Sequence, residues 1–268
     1  MDDVMDDATV NAYLDRIGMP RPELLDATAL AHLHRAHLLT VPFENLSVHR
    51  SEPIGLGEAD LVQKIVTRRR GGFCYELNGI FALLLQALGA QVTRVGARVH
   101  GDDGFGPPFD HLALIVQPAD GSGPWLCDIG FGSHSTFPLD LSSRAEQDDP
   151  GGTFRLTEAP DGDLDVLLND KPQYRIERRE RSLADFVPTC WWQQTSPDSH
   201  FTHSLICSRL TPEGRISLSG RTLISTVNGV RTEQELAADD EVLAAYRKHF
   251  GVELDRVPEV LSRAGAAR

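Results

Sequence analysis

Apolar residues change their spacing at Ala90, and that change limits what the chain can fold into. Up to Gly89 they recur at helical intervals. Val10, Tyr13, Leu14 and Ile17 share one face after a capping Asp6 or Thr9, and Gly18 and Pro20 stop the helix. Asp26 to Leu39 repeats the pattern with Leu30, Leu33 and His37, and Glu58 to Arg69 repeats it with Leu61 and Ile65. Cys74 to Leu88 is apolar almost all round, which predicts a helix buried on most sides and ended by Gly89. From Gln91 the runs are short and rich in Val, Ile, Leu and aromatics: Gln91–His100, His111–Gln117, Trp125–Ile129, Thr153–Thr157, Leu164–Leu168 and Gln173–Arg179. Breakers such as PADGSGP and EAPDGD separate them, which predicts an antiparallel sheet or barrel. After Leu205 the pattern mixes. ICSRL, RISLSG and TLISTVNG read as strands, Asn228-Gly229 as a hairpin turn, and Asp239–Phe250 as a last helix. The charge run RIERRERS (175–182) reads as a solvated strand edge.

A chain of 268 residues has room for one large domain or two to three small ones. Its 26 basic and 39 acidic residues leave a net charge of −13, which disfavours nucleic acid and anionic membrane as partners. Four cysteines lie far apart with no C-x-x-C pair, so neither a disulfide scaffold nor a zinc ribbon is expected, and no metal site. The opening MDDVMDDATV lacks an apolar stretch, and Ile80–Leu88 is too short to span a bilayer. The expectation is a reduced, cytoplasmic enzyme.

Cys74 follows three arginines and Gly71-Gly72-Phe73 and opens a helix. The helix dipole and nearby cations favour a thiolate there, and the Gly-Gly turn offers room for a ligand. Position alone leaves a second reading, a small buried hydrophobe. A thiolate nucleophile needs a histidine, and the histidine an orienting group. His111 enters a strand from the Gly-Pro-rich loop GDDGFGPPFD, where it can face a cleft. Asp128 ends the strand of WLCDIGFG, and a buried acid there needs a partner such as an imidazolium. Cys127 points to the opposite face, and Cys190 and Cys207 read as structural.

PFENLS (42–47), RRRGGFCYELNG (68–79), the strand of His111 and DIGFG (128–132), in that order, resemble the arylamine N-acetyltransferase family. SPDSHF (196–201) resembles another segment of it, so the likeness covers essentially the whole chain. Cys127 is a small departure, where an aliphatic residue is commoner. The resemblance implies an α+β fold: a helical bundle over 1–90, a central antiparallel β-barrel over 91–204 and a C-terminal α/β lid over 205–268. It makes Cys74 the nucleophile, His111 its proton partner and Asp128 the orienting carboxylate. It places Phe43, Val99 and Phe131 in the acceptor pocket and makes Glu44 and Arg70 a structural ion pair. It also implies N-acetylation of arylamines and arylhydrazines from acetyl-CoA by a ping-pong route through an acetyl-cysteine. No phosphate-binding glycine motif occurs, so acetyl-CoA rests on the resemblance alone. Gly130 and Gly132 are candidates for letting backbone N–H groups approach the cofactor, with turn geometry an equal alternative. The partners implied are an aromatic amine or hydrazine and coenzyme A, and a homo-oligomer is compatible with the sequence. Three rivals stay open: a macrolactam-forming amide synthase of the same fold, a cysteine hydrolase, and a binding module with an inert triad.

Overall fold

The structure is a computed structural model that describes residues 5–260. Residues 1–4 and 261–268, where the acidic N-terminal stretch begins and the C-terminal region ends, lie outside it.

Helix α1 (Asp7–Ile17) starts where the Asp6 side chain accepts from the Thr9 N–H at 2.8 Å, and stops at Gly18, whose φ of 70° favours glycine. Asp26 caps α2 (Ala27–Thr40) in the same way at 2.7 Å. A short strand β1 (Phe43–Glu44) and helix α3 (Leu46–His49) follow. Helix α4 (Glu58–Leu61) runs on into a π-helical turn, Val62–Thr67, where the spacing predicts one α-helix. Helix α5 (Cys74–Ala87) is buried along every side chain from Cys74 to Leu85. Strands of the outer sheet wall, with Val92, Leu114, Val116 and Cys127, close one core with α1, α2 and α5.

The barrel runs from β2 (Gln91–Gly101) through β3 (Gly104–Phe105), β4 (His111–Gln117), β5 (Trp125–Cys127), β6 (Leu139–Asp140), β7 (Gln147–Asp149), β8 (Gly152–Glu158) and β9 (Leu164–Leu168) to β10 (Lys171–Glu180). Pairing is antiparallel throughout, in the order β6-β5-β4-β2-β10-β9-β8-β7, with β3 folded back on β2. The Gln147 side chain bridges the two end strands. It accepts from the Asp140 N–H at 2.7 Å and donates to the Asp140 carbonyl at 3.0 Å. Side chains alternate across the wall: Ala113 and Leu126 face the barrel core, while Leu114 and Cys127 face the helices. The charge run at 175–182 divides: 175 and 176 lie between β2 and β9, where Arg175 pairs with Asp165 at 2.7 Å and covers the Phe105 ring at 4.5 Å. Past Ile176 the strand has no partner in β9, and Arg178, Arg179 and Glu180 are exposed, the solvated edge that the run predicts.

Beyond β10 the chain turns helical again, which the spacing does not predict. Helices α6 (Leu183–Thr195) and α7 (His200–His203) pass over the N-terminal end of α5, where Phe186 and Cys190 share a cluster with Phe73, Cys74 and Leu112. A second antiparallel sheet follows, from β11 (Ile206–Thr211), β12 (Gly214–Ser219), β13 (Thr222–Val227) and β14 (Val230–Glu235), with β1 along its other edge. Asn228-Gly229 does form the two-residue turn between β13 and β14. Helix α8 (Asp239–Ala245) and a π-helical turn, Tyr246–Phe250, pack Val242, Tyr246 and Phe250 on this sheet. Among the described residues no helix is long and apolar enough to cross a membrane.

Candidate active site

Cys74 is the first residue of α5, and the approach to it is crowded. A Cβ on Gly71 would lie 1.9 Å from the Pro42 carbonyl oxygen, and one on Gly72 would lie 2.6 Å from Glu76 Oε2. The glycines therefore let β1 and the Glu76 side chain come close, rather than leaving room for a ligand as the sequence suggests. The Glu44 N–H donates to the Gly72 carbonyl at 2.8 Å, and the Phe73 N–H donates to Glu76 at 3.2 Å. Arg70 is likewise engaged. It donates to Glu44 at 3.0 Å and to Glu52 at 3.3 Å, while the Leu46 N–H donates to the other Glu44 oxygen at 2.7 Å. Burial opposes the Glu44 charge, but Arg70 outweighs it and holds the carboxyl below its ordinary range. Arg68 and Arg69 are exposed. None of the three arginines lines the cavity at Cys74.

The partner of the sulfur is His111, at the start of β4. Its Nε2 lies 2.7 Å from Asp128 Oδ2, which leaves Nδ1 as the nitrogen that can meet the Cys74 side chain, whose presence beside the ring favours its charged form. Burial would push this imidazole down; Asp128 and Cys74 outweigh burial and push it up, towards the imidazolium. Burial also opposes the Asp128 charge, and His111 reverses that, so the carboxyl sits well below its ordinary range. The Cys74 Sγ lies 3.9 Å from the Asp110 carbonyl oxygen. The other three thiols, Cys127, Cys190 and Cys207, are pushed up by burial.

Asp128 is held by groups that single out no chemistry in the sequence. Asn78 stands four residues after Cys74, on the same helix face. Its Nδ2 donates to Asp128 Oδ1 at 2.9 Å and to the Leu112 carbonyl at 2.6 Å, and its Oδ1 accepts from the Ile129 N–H at 3.0 Å. The Asp128 N–H donates to His34 Nε2 at 3.3 Å, so His34 carries its proton on Nδ1, 3.0 Å from the Thr136 carbonyl. Burial pushes His34 down to about 4 and keeps it neutral.

Cys74 and His111 sit on the wall of a cavity of about 550 Å³, with Asp128 behind them. Phe43, Val99 and Phe131 all line it, and Phe131 stands edge-on to His111 at 5.3 Å. Gly130 lines it too, but its N–H donates to Asp128 Oδ1 at 3.0 Å and is not free for a phosphate. What Gly130 supplies is thinness, since a Cβ there would lie 2.7 Å from the Cys74 Cα. Gly132 is not on the wall; its φ of 88° belongs to the turn beneath Phe43. The facing wall is Trp192, Gln193, His200 and Phe201 from α6 and α7, with the 101–107 loop at the mouth. No residue of 205–260 lines the cavity, so α6 and α7 cover it rather than the C-terminal sheet. The only sign of this wall in the sequence is SPDSHF, noticed as a resemblance and not as a surface.

A thiol, an imidazole and a carboxylate in series beside an aromatic-walled cavity form an apparatus for acyl transfer through a thioester. Among the described residues no group of three or more His, Cys, Asp or Glu is arranged to hold a metal. Comparison with known proteins agrees with this reading of the fold. A family profile described as N-acetyltransferase matches residues 26–259. An arylamine N-acetyltransferase of Escherichia coli K12 is 33% identical over 255 residues, covering 92% of this chain and 89% of that one. The solved arylamine N-acetyltransferase of Mycobacterium smegmatis superposes with a TM-score of 0.85 at 32% identity, over 97% of this chain and all of that one. The Mycobacterium marinum enzyme, solved in complex with CoA, superposes at 0.82 with 31% identity, over 91% of this chain and 92% of that one.

Proposed function

This chain belongs to the arylamine N-acetyltransferase family, and from that premise we propose that it acetylates arylamines and arylhydrazines from acetyl-CoA by a ping-pong route through Cys74. The observation that carries the reading is His111, buried between the Cys74 sulfur and the Asp128 carboxylate on the wall of an aromatic cavity. In the first half-reaction Cys74 gives its proton to His111 and its sulfur attacks the acetyl carbonyl carbon. The bond to the CoA sulfur breaks, and CoA leaves with the proton that His111 returns. In the second, the amine nitrogen attacks the acetyl-cysteine, the carbon–sulfur bond breaks, and the nitrogen's proton passes through His111 to Cys74. The products are the N-acetyl amine and free CoA. Asp128 fixes the ring and stabilises its cation in both halves. Phe43, Val99 and Phe131 give the cavity an apolar side that suits an aromatic ring. They also shield the thioester from water until the amine arrives. An arylamine is weakly basic and stays unprotonated near neutral pH, so it enters as a nucleophile.

Intact mass after mixing with acetyl-CoA alone tests the reading. One acetyl group per chain should appear, map to Cys74, and be discharged by an arylamine, with none on Cys74→Ala. Many turnovers of hydrolysis without amine would make the protein a cysteine hydrolase. A longer acyl thioester loading where acetyl does not would make it an amide synthase.

A further inference from the structure

A second cavity, of about 260 Å³, shares no lining residue with the one at Cys74 and opens where five segments meet: the ends of α1 and α2, the chain just past the π-helical turn at 62–67, β11, and the turn at 246–250. Its ionisable lining is Arg16, Arg69, Arg209, Arg247, Lys248 and His249, and no carboxylate lines it. In a chain with 39 acidic residues against 26 basic ones, so one-sided a cluster is not what composition supplies. Most half-buried arginines elsewhere have an acid at hand, as Arg50, Arg70, Arg175 and Arg181 do. The four arginines and the lysine here form no ion pair among the described residues.

Helix ends explain part of the cluster. Arg209 donates from Nε to the His249 carbonyl at 3.0 Å and from Nη1 to the Leu39 carbonyl, so it closes two helical C-termini, where cations are favoured. That account does not reach Arg16. Arg16 is 4% exposed; its Nη2 donates to the Arg70 carbonyl at 2.6 Å, and its buried Nε and Nη1 have no partner. Burial, with Arg69 nearby, pushes its pKa down to about 10, so it remains a cation at neutral pH. A buried cation with two idle donors is costly unless an anion meets it. Exposed Arg69, Arg247 and Lys248 bring further positive charge to the mouth.

We propose that this cavity binds a compact phosphate-class oxyanion, at a site separate from the acyl-transfer pocket. Guanidinium groups converging from several elements match the several acceptor oxygens of such an ion. The volume has room for a phosphate group. Inorganic phosphate and the terminal phosphate of a monoester present the same chemistry.

Calorimetric titration of the whole protein with inorganic phosphate, at ionic strength held constant with chloride, tests the site. The expected result is one saturable site. The double variant Arg69→Gln/Arg247→Gln alters only exposed side chains and keeps the fold testable; it should bind about tenfold more weakly or worse. Arg16→Met should lose the site altogether. Titration with glycerol 3-phosphate separates the two sources: tighter binding than phosphate assigns the site to a monoester, weaker binding to the free ion. Absence of saturable binding, or a double variant that titrates like the wild type, overturns the proposal.

Discussion

Each oxygen of Asp128 has a separate task. Oδ2 faces His111 Nε2 at 2.7 Å, while Oδ1 accepts from Asn78 and from the Gly130 N–H. Asp128→Asn would keep the shape, and its single oxygen would be claimed by the two donors on the Oδ1 side. The new amide nitrogen would then face His111 and force the ring to accept there, with its proton on Nδ1, towards the sulfur. A histidine in that tautomer cannot take the thiol's proton. A serine enzyme with the equivalent change loses about four orders of magnitude in rate. A loss of about 10³ to 10⁴ is expected here in the burst of CoA release, with the circular dichroism of the wild type retained; a near-normal burst would remove Asp128 from the proposed reaction. Asp110 carries a different load. Burial pushes its carboxyl up from 3.8 to about 6, against the Val99 N–H, which donates to it at 3.0 Å, and against His111. Between those two values the folded protein binds more protons at this group than the unfolded chain does. Its contribution to stability therefore falls as pH rises through that window and is level above it. Asp110→Asn keeps the acceptor for Val99 and removes the charge. The thermal midpoint of the variant relative to wild type should therefore be higher at pH 7 than at pH 4, and a difference that does not move with pH would contradict the assignment.

Beside the reacting groups, Asn78 ties helix α5 to the barrel with three bonds. Asn78 satisfies the Leu112 carbonyl on β4, Asp128 after β5 and the Ile129 N–H, all of them buried. Asn78→Ala should cost about 3 kcal/mol in urea unfolding, since it strands three polar groups at once. A loss below about 1 kcal/mol would mean that the Asn78 bonds are not what joins helix and barrel. This joint also marks how far the sequence can be read. Cys74, His111 and Asp128 are legible because each is a reactive type in an unusual local setting; α1, α2 and most of β2 to β10 are legible because one face of each is apolar, and α5 because it is apolar almost all round. Asn78 is less legible, since an asparagine on a helix announces itself only through partners 34 to 51 residues away. Helix α6 escapes because Pro188 and the pair Trp191-Trp192 blur its period, with Trp191 65% exposed. Strand β14 escapes because all six residues face solvent, so no alternation marks it. The room expected beside Gly71-Gly72 is absent because glycine signals close approach, and the sequence does not say whether a ligand or the chain itself approaches.

Four apolar clusters make up the molecule, and Cys74 belongs to the smallest of them, at the junction of helices and barrel. The whole chain thus divides two duties in space. The groups proposed to react stand on α5, β4 and the end of β5, deep in the scaffold and tied to it by Asn78, His34 and Gly130. The facing wall of the cavity comes from α6, α7 and the 101–107 loop, none of which supplies a reacting atom. Trp192 supplies wall without touching the Cys74–His111–Asp128 series, whereas Phe201 stands edge-on to Phe73 at 5.5 Å, beside Cys74, and belongs to both duties. For the lineage that carries this fold, such a division separates two kinds of inheritance. The proposed acyl chemistry is held by buried bonds, while wall residues that lie clear of Phe73, such as Trp192, are where a new acceptor can be tried at least risk to the reaction.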